Sequence, residues 1–251
     1  MFSTGSKKLD EIFGGYEAST IHLFYGPAGS GKTHLAVYQP ILSLAKYMIE
    51  TNTLEENCRF IIVSTDGGFS RDRLQRILQY NGVDVYKVLP KLVVFEPTSF
   101  ESQHDVITNQ IPKLIEVSGI KPLLIAVDPI TAHYRVEYFK APPKMRLQTA
   151  LKGIGMIEVE TNLLFKIAKE HGTVVTITTW YKSYITDQVK RAWYSDIGGG
   201  KALSYYPTKV VRLELIAEYP KRIKATVVKH RFGEEYKTCE FTIKHSGVSD
   251  V

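Results

Sequence analysis

The sequence predicts an α/β fold whose mostly parallel central sheet is flanked by helices and extended at its C-terminal end by antiparallel strands. Two observations lead to this prediction. Up to about residue 180, short β-branched apolar runs alternate with longer helical patterns, as expected of parallel strands joined by crossover helices. Beyond residue 208 the apolar runs follow one another without helical patterns between them, which is typical of hairpins.

The elements are expected in a simple alternating order. Five apolar runs are predicted to form the parallel strands, at residues 21–25, 60–65, 91–95, 123–127 and 173–178. The helices between them are predicted at residues 33–49, 71–80, 100–117 and 147–171. Pro40 lies inside the first helix, where it predicts a kink or break, and Gly172 is a suitable C-terminal cap for the last. Three late strands are expected at residues 209–217, 223–230 and 238–243, and Tyr219-Pro220 and Phe232-Gly233 are turn signals.

The composition is that of an ordinary globular chain, with 251 residues, 44% hydrophobic residues and 23% charged residues. Since we find no repeat, low-complexity segment or linker, we expect a single domain over residues 1–251. The sequence shows no signal peptide and no run of about 18 apolar residues, which predicts a cytoplasmic protein without a membrane partner. Cys58 and Cys239 are expected to be free thiols. The net charge of +6 permits a nucleic-acid partner without requiring one.

A glycine-rich segment between the first strand and the first helix matches the pattern G-x-x-x-x-G-K-[ST] in full. It comprises Gly26, Pro27, Ala28, Gly29, Ser30, Gly31, Lys32 and Thr33. Glycines let backbone N–H groups approach phosphate oxygens, and the start of the helix adds a favourable dipole. We therefore expect it to bind ATP, with Lys32 on the β and γ phosphates and the Thr33 hydroxyl on Mg²⁺, and we assign the next residue, His34, to the same site. A glycine-rich turn that matches by chance is the alternative.

A second apolar run, at residues 122–127, ends in the carboxylate of Asp128. A buried parallel strand would deliver this carboxylate to the edge of the sheet where ligands bind in open α/β folds. There we expect Asp128 to orient Mg²⁺ through water. The alternative is a core strand that happens to end at a loop aspartate.

Several segments, in this order, resemble the ATPase core of archaeal RadA and its paralogues in the RecA/RadA recombinase superfamily. They are S-T-G-S-K-K-L-D at residues 3–10 with Gly14-Gly15, F-Y-G-P at 24–27, S-T-D-G-G-F at 64–69, Y-R-V-E-Y at 134–138, I-G-G at 197–199 with Ala202 and Leu203, and F-T-I-K-H-S-G-V at 241–248. The resemblance covers the chain nearly end to end. It implies a RecA-like P-loop ATPase core that uses ATP and Mg²⁺.

The resemblance also implies roles for single residues. Asp66 occupies the position of the catalytic glutamate that activates water beside Lys32 and Asp128, but it is one methylene shorter, so slow hydrolysis is expected. Its alternative role is to cap the turn into the next helix. Arg73 matches an arginine that stacks on adenine, and its alternative is a solvated helix residue.

A late basic pair, Lys229 and Arg231, resembles the Lys-x-Arg pair with which KaiC-like domains and RadB paralogues reach the ATP of a neighbouring subunit. Alternation along a strand puts the two side chains on the same face. A homo-oligomer is therefore one expected form of the protein. The alternative for the pair is an exposed basic strand end.

The sequence departs from the family pattern in two respects. Thr179-Trp180 stands where the family has an Asn-Gln pair whose glutamine couples the nucleotide state to DNA. Only two residues precede Ser3, so the N-terminal DNA-binding domain and polymerisation motif of the recombinases are expected to be absent. We therefore expect an accessory paralogue whose partner is the RadA recombinase or another paralogue.

Two segments combine basic and aromatic side chains in a way that suits single-stranded DNA, because cations neutralise phosphates and aromatic faces stack on unpaired bases. The residues predicted to bind DNA are Arg135, Lys140, Lys144, Arg146, Lys182, Lys190, Arg191, Trp193 and Tyr194. The alternative is that the aromatic residues pack on the core and the charges are solvated. In that case the chain would be a KaiC-like signalling ATPase or kinase that acts on a protein without DNA. A third possibility, suggested by Asp66 in place of glutamate, is an ATP-gated binding module without hydrolysis.

Overall fold

The computed structural model describes residues 1–181 and 197–251, and one sheet runs through the whole of this part. Its strands are β1 (Thr20–Gly26), β2 (Cys58–Ser64), β3 (Leu92–Phe95), β4 (Lys121–Asp128), β5 (Val174–Trp180), β6 (Lys209–Ala217), β7 (Arg222–His230), β8 (Lys237–Lys244) and β9 (Gly247–Asp250). They lie in the order β3-β2-β4-β5-β1-β6-β7-β8-β9. The pairings from β3 to β6 are parallel and those from β6 to β9 are antiparallel. The predicted fold class is confirmed.

Helices cover both faces of the sheet. They are α1 (Lys7–Phe13), α2 (Gln39–Glu50), α3 (Arg71–Tyr80), α4 (Val85–Val88), α5 (Phe100–Asp105), α6 (Ile111–Ser118), α7 (Ala132–Lys140), α8 (Arg146–His171) and α9 (Ala202–Tyr205). The α8 helix ends as predicted, since Gly172 has a φ of 66° and donates its N–H to the Ala168 carbonyl. Within the described residues, no helix is long and apolar enough to cross a bilayer. Cys58 and Cys239 are free thiols, as predicted.

The core has two layers, one on each face of the sheet. Phe24 of β1 belongs to one hydrophobic cluster, whereas its neighbours Leu23 and Tyr25 belong to the other. Every residue of β1 is buried. This explains why β1 reads as a continuous apolar run, because a central parallel strand has no face toward water.

Two prolines change the hydrogen bonding of segments that the sequence predicts to be regular helices. Pro40 has the predicted effect, since a π-helical turn, His34–Tyr38, precedes α2 and the proline is one of the first residues of α2. The helix predicted at residues 100–117 is confirmed in extent, since residues 100–118 are helical, but its hydrogen-bonding pattern changes in the middle. There a second π-turn, Val106–Gln110, separates α5 from α6, in which Pro112 stands near the start. A proline cannot donate a backbone hydrogen bond, so the turn before it is free to widen.

Side chains of two other elements satisfy the carbonyl groups that Pro40 leaves without a donor. In an α-helix residue 40 would donate to Ala36, and in a π-turn it would donate to Leu35. The Thr176 hydroxyl on β5 donates to the Ala36 carbonyl at 2.5 Å, and the Tyr16 hydroxyl donates to the Leu35 carbonyl at 2.7 Å. The break after the glycine-rich loop is therefore fixed by tertiary contacts.

We predict that replacing Thr176 by valine destabilises the protein by about 1–3 kcal/mol, because the buried Ala36 carbonyl then loses its donor. The matched control is Thr226→Val. The Thr226 hydroxyl is also buried, but it has no partner among the described residues, so its removal should be neutral or stabilising. The free energy of unfolding in urea measures both. Equal losses in the two variants would contradict this account of the π-turn.

Candidate nucleotide-binding site

The strand order brings the sequence motifs to one edge of the sheet. Because β4, β5 and β1 are parallel neighbours, their carboxyl ends lie side by side. A cavity of about 310 Å³ opens at this edge. Nine residues that the sequence assigned to the site line it, namely Ala28, Gly29, Gly31, Lys32, Thr33, His34, Asp66, Arg73 and Asp128.

The loop after β1 is closely packed against the antiparallel strands. A Cβ atom at Gly26 would lie 2.2 Å from the Leu213 carbonyl oxygen, and one at Gly31 would lie 2.5 Å from Ile243. Gly31 also has a φ of 86°, a conformation that disfavours a side chain. Both glycines are therefore required by the fold of the loop itself. The Ser30 hydroxyl donates to the Pro27 carbonyl at 2.8 Å and stabilises the turn.

The Lys32 side chain folds over the loop. Its Nζ donates to the carbonyl groups of Gly26 at 3.0 Å and Pro27 at 2.7 Å. Burial lowers the pKa of Lys32, while the carboxylates of Asp128 and Asp66 act in the opposite direction. A cation held at the mouth of a glycine-rich loop suits an incoming polyphosphate.

The Asp128 carboxylate is buried at the end of β4, with 4% of its surface exposed. It accepts hydrogen bonds from the hydroxyl groups of Thr178 and Thr33. Burial raises the pKa of Asp128 and these two hydrogen bonds lower it. A buried carboxylate beside a threonine hydroxyl supplies the hard oxygen ligands that Mg²⁺ prefers.

The residues fit a magnesium ion that completes its coordination with phosphate and water. Among the described residues no group of three or more histidine, cysteine, aspartate or glutamate side chains could hold a metal. Mg²⁺ in nucleotide sites usually keeps several waters and takes only one or two protein ligands. Asp128 and Thr33 are such a pair.

Asp66 lies in the exposed turn after β2, where its Oδ1 accepts the Gly68 N–H at 2.9 Å. This is the turn-capping contact that the alternative interpretation requires. The charge of Asp66 still reaches the cavity, because it contributes to the pKa values of both Lys32 and Asp128. Its role as a base stays a prediction.

A cluster of cationic groups lies on the side of the cavity formed by the π-turn. Arg73 stands 5.9 Å from the centre of the Tyr38 ring. Burial, together with the charges of Arg73 and Lys221, lowers the pKa of His34 to about 3. Sequence reasoning missed Tyr38 and Lys221, both of which line the cavity. Lys221 lies in the turn between the paired strands β6 and β7, and its carbonyl accepts the Ile243 N–H at 3.1 Å.

Trp180 is a further residue that the sequence did not assign to the nucleotide site. It ends β5, lines the cavity and has the Lys32 Nζ at 5.3 Å from the centre of its ring. The preceding Thr179 hydroxyl lies 3.0 Å from the Thr131 hydroxyl and donates to the Gly198 carbonyl at 3.1 Å. The Thr179-Trp180 pair therefore joins the nucleotide cavity to the segments on either side of it.

Lys229 and Arg231 do not line the cavity. The Lys229 Nζ donates to three carbonyl groups at the end of α9, those of Ser204 at 2.8 Å, Tyr205 at 3.0 Å and Pro207 at 2.7 Å. Arg231 is exposed. Their contact with a neighbouring subunit stays a prediction.

The residues predicted to bind DNA divide into two sets. Arg135, Lys140, Lys144 and Arg146 are exposed on α7, on the 3-10 turn Pro143–Met145 that follows it, and at the start of α8. The α7 helix has no fully buried residue. The second set, Lys182, Lys190, Arg191, Trp193 and Tyr194, lies outside the described residues.

A second cavity, of about 480 Å³, lies where the C-terminal part of α2 approaches α4. Although it is larger, it is lined by none of the residues that the sequence assigned to the nucleotide site, and two of its cations are bonded to carbonyl groups. Arg59 donates to the carbonyl groups of Glu56 and Cys58, and Lys91 donates to those of Glu55 and Glu56. The smaller cavity holds the charged groups suited to a nucleotide, and we assign the site there.

The fold and this site define a nucleotide-binding P-loop protein of the RecA type. The chain belongs to the Rad51 family, since the family model described as Rad51 matches residues 1–251. Among similar proteins is the DNA repair and recombination protein RadB of Thermococcus kodakarensis, 29% identical over 253 residues that cover 100% of both chains. RadB of Thermococcus gammatolerans is 31% identical over 255 residues, which cover 100% of this chain and 99% of that relative. The crystal structure of the RadB recombinase matches with a TM-score of 0.74 and 27% identity over 100% of both chains.

We predict that Asp128→Asn stabilises the ligand-free protein at pH 8, because the variant no longer buries a charged carboxylate. Burial raises the folded-state pKa of Asp128 above its unfolded value, so the charged form costs stability as the pH rises through the folded-state pKa. The gain should therefore be smaller at pH 5 than at pH 8. The exposed Asp66→Asn is the control and should change stability by less than about 0.5 kcal/mol. Urea unfolding at both pH values checks this, and a loss of stability in Asp128→Asn at pH 8 would contradict it.

Proposed function

We propose that this chain is an ATP-binding, slowly hydrolysing ATPase that binds single-stranded DNA and modulates homologous recombination and DNA repair. The observation that carries the proposal is the convergence of Lys32, Thr33 and Asp128 on one cavity at the carboxyl edge of the sheet. A lysine for the phosphates, a hydroxyl for Mg²⁺ and a buried carboxylate form the set that P-loop NTPases use. When bound, Mg²⁺ would neutralise charge that develops on the phosphates.

Slow hydrolysis is supported by the position of Asp66. Its short side chain is bonded to the Gly68 N–H of its own turn at 2.9 Å. A carboxylate in this position is less available to orient an attacking water than one that extends freely into the cavity. If the turn keeps this hydrogen bond, hydrolysis through Asp66 depends on its second oxygen, Oδ2.

The recombination and repair role is supported by the family and by the names of relatives, which are called DNA repair and recombination protein RadB. The exposed basic residues of α7 and α8 support single-stranded DNA as the ligand. As partners we propose the RadA recombinase or another paralogue, and a homo-oligomer.

ATP binding is tested by Lys32→Ala, which should lower the affinity for MgATP more than tenfold and abolish turnover. The reason is that, within the described residues, no other cation donates to the Gly26 and Pro27 carbonyls, so nothing takes the place of the Lys32 charge at the loop. The exposed Lys46→Ala, on the α2 helix that follows, is the control and should behave like the parent. Calorimetric titration and phosphate release measure the two effects. Parental turnover in Lys32→Ala would rule out the assigned site.

The role of Asp66 is tested by a pair of substitutions. Asp66→Asn should remove hydrolysis, because an amide cannot accept the proton of water. Asp66→Glu should raise the rate, since the longer side chain reaches past the turn. If Asp66→Asn turns over at the parental rate in single-turnover measurements, Asp66 is only a turn cap.

DNA binding is tested by the salt dependence of affinity for an unstructured oligonucleotide. Lys144→Ala with Arg146→Ala should lower the slope of log K against log salt by roughly two if both side chains contact phosphates. The control removes two charges from the far end of the same helix, Lys166→Ala with Lys169→Ala, roughly 30 Å away at 1.5 Å per residue. Equal slopes for the two double variants would count against DNA on this surface and favour the protein-directed alternative.

A further inference from the structure

One indole ring lies between the nucleotide loop and the basic surface of α7. Trp180 has the Lys32 Nζ at 5.3 Å from its ring centre and the Arg135 guanidinium carbon at 5.0 Å. The main chain of Trp180 is held as well, since its carbonyl accepts the Gly198 N–H at 3.3 Å. Two cations on different segments thus share a single fixed aromatic ring.

The Arg135 side chain is held from two sides. The ring of Phe139, one turn later on α7, lies 5.9 Å from the guanidinium, in addition to the Trp180 ring. The negative face of an aromatic ring attracts a cation, so the Trp180 and Phe139 rings both favour this position of the guanidinium.

The contact with the Trp180 ring is what holds the Arg135 side chain near the phosphate loop. The Arg135 backbone belongs to an exposed position of α7, and a free arginine there would extend into solvent, away from the like charge of Lys32. The ring therefore holds a surface arginine as a further positive charge close to Lys32, in addition to Arg73 and Lys221, which line the cavity. Arg135 is also one of the residues predicted to bind DNA.

We propose that Trp180 is a positioning residue that holds Arg135 beside the phosphate end of the nucleotide site, so that Arg135 contributes to nucleotide affinity. The inference rests on the proposed ATP binding. Trp180 stands where the family has a glutamine, and its ring links α7 physically to the loop that carries Lys32.

The test is a double-mutant cycle on MgATP affinity, with Arg135→Ala, Trp180→Leu and the double variant. Each single change should weaken binding by about 3- to 30-fold, and the double variant should bind no more weakly than Trp180→Leu alone. Lys169→Ala is the matched control and should keep parental affinity, because Lys169 is an exposed cation over another aromatic ring, with its Nζ 5.6 Å from the centre of the Phe165 ring. Parental affinity in Arg135→Ala would overturn the proposal, and so would multiplicative losses in the double variant.

A second measurement avoids replacing Trp180. Trp193→Phe leaves Trp180 as the only tryptophan, because the chain has two. In this background MgATP should change the Trp180 emission, and Arg135→Ala should change the emission of the nucleotide-free protein, whereas Lys169→Ala should not. If Arg135→Ala leaves the Trp180 emission of the nucleotide-free protein unchanged, the proposal is overturned.

The results distinguish failure of the proposed nucleotide site from failure of the role assigned to Trp180. If the parent binds no MgATP, or if Lys32→Ala binds as well as the parent, the nucleotide site itself is wrong and the inference falls with it. If MgATP binds in a Lys32-dependent way but Arg135→Ala has no effect, only the role of Trp180 is wrong.

Discussion

The structure depends on how it compensates one energetically unfavourable feature, the burial of the Asp128 carboxylate at the end of β4. A buried charge is tolerated when hydrogen bonds and opposite charges compensate it. Here hydroxyl groups of Thr178 and Thr33 donate to the carboxylate and the Lys32 ammonium acts at longer range. These groups come from β5 and from the loop after β1, so the compensation exists only because β4, β5 and β1 are neighbours in the sheet.

A network of polar contacts fixes the segment directly after Asp128. The Thr65 hydroxyl donates to the Pro129 carbonyl at 2.6 Å, and the Gln103 amide donates to the Ile130 carbonyl at 2.9 Å. The same amide group donates to the fully buried Glu160 of α8 at 3.0 Å. Burial raises the pKa of Glu160, and hydrogen bonds from His104 and Gln103 oppose the rise. Helices α5 and α8 are thereby tied to the strand end that carries the site carboxylate.

Much of this could be predicted from sequence because it is local. The strands, the glycine-rich loop and the break at Pro40 follow from periodicity, from a spacing motif and from a missing N–H group. The α1 helix was missed although its caps are local, since the Ser6 side chain accepts the Leu9 N–H and Gly14 ends the helix in the left-handed conformation. The α7 helix was missed because it buries no residue and so shows no apolar stripe. Strand pairing brings Lys221 and Trp180 to the cavity, and no pattern in the neighbouring sequence indicates that pairing.

The central claim is that Asp128 and the phosphate loop form one site for Mg²⁺ and ATP, and calorimetry of ATP binding at increasing Mg²⁺ tests it most directly. The account predicts that Mg²⁺ strengthens ATP binding by the parent and strengthens it far less in Asp128→Asn. The amide keeps the shape of the carboxylate and removes its charge, so binding to the loop through Lys32 should persist in the variant. An equal effect of Mg²⁺ on both proteins would contradict the claim.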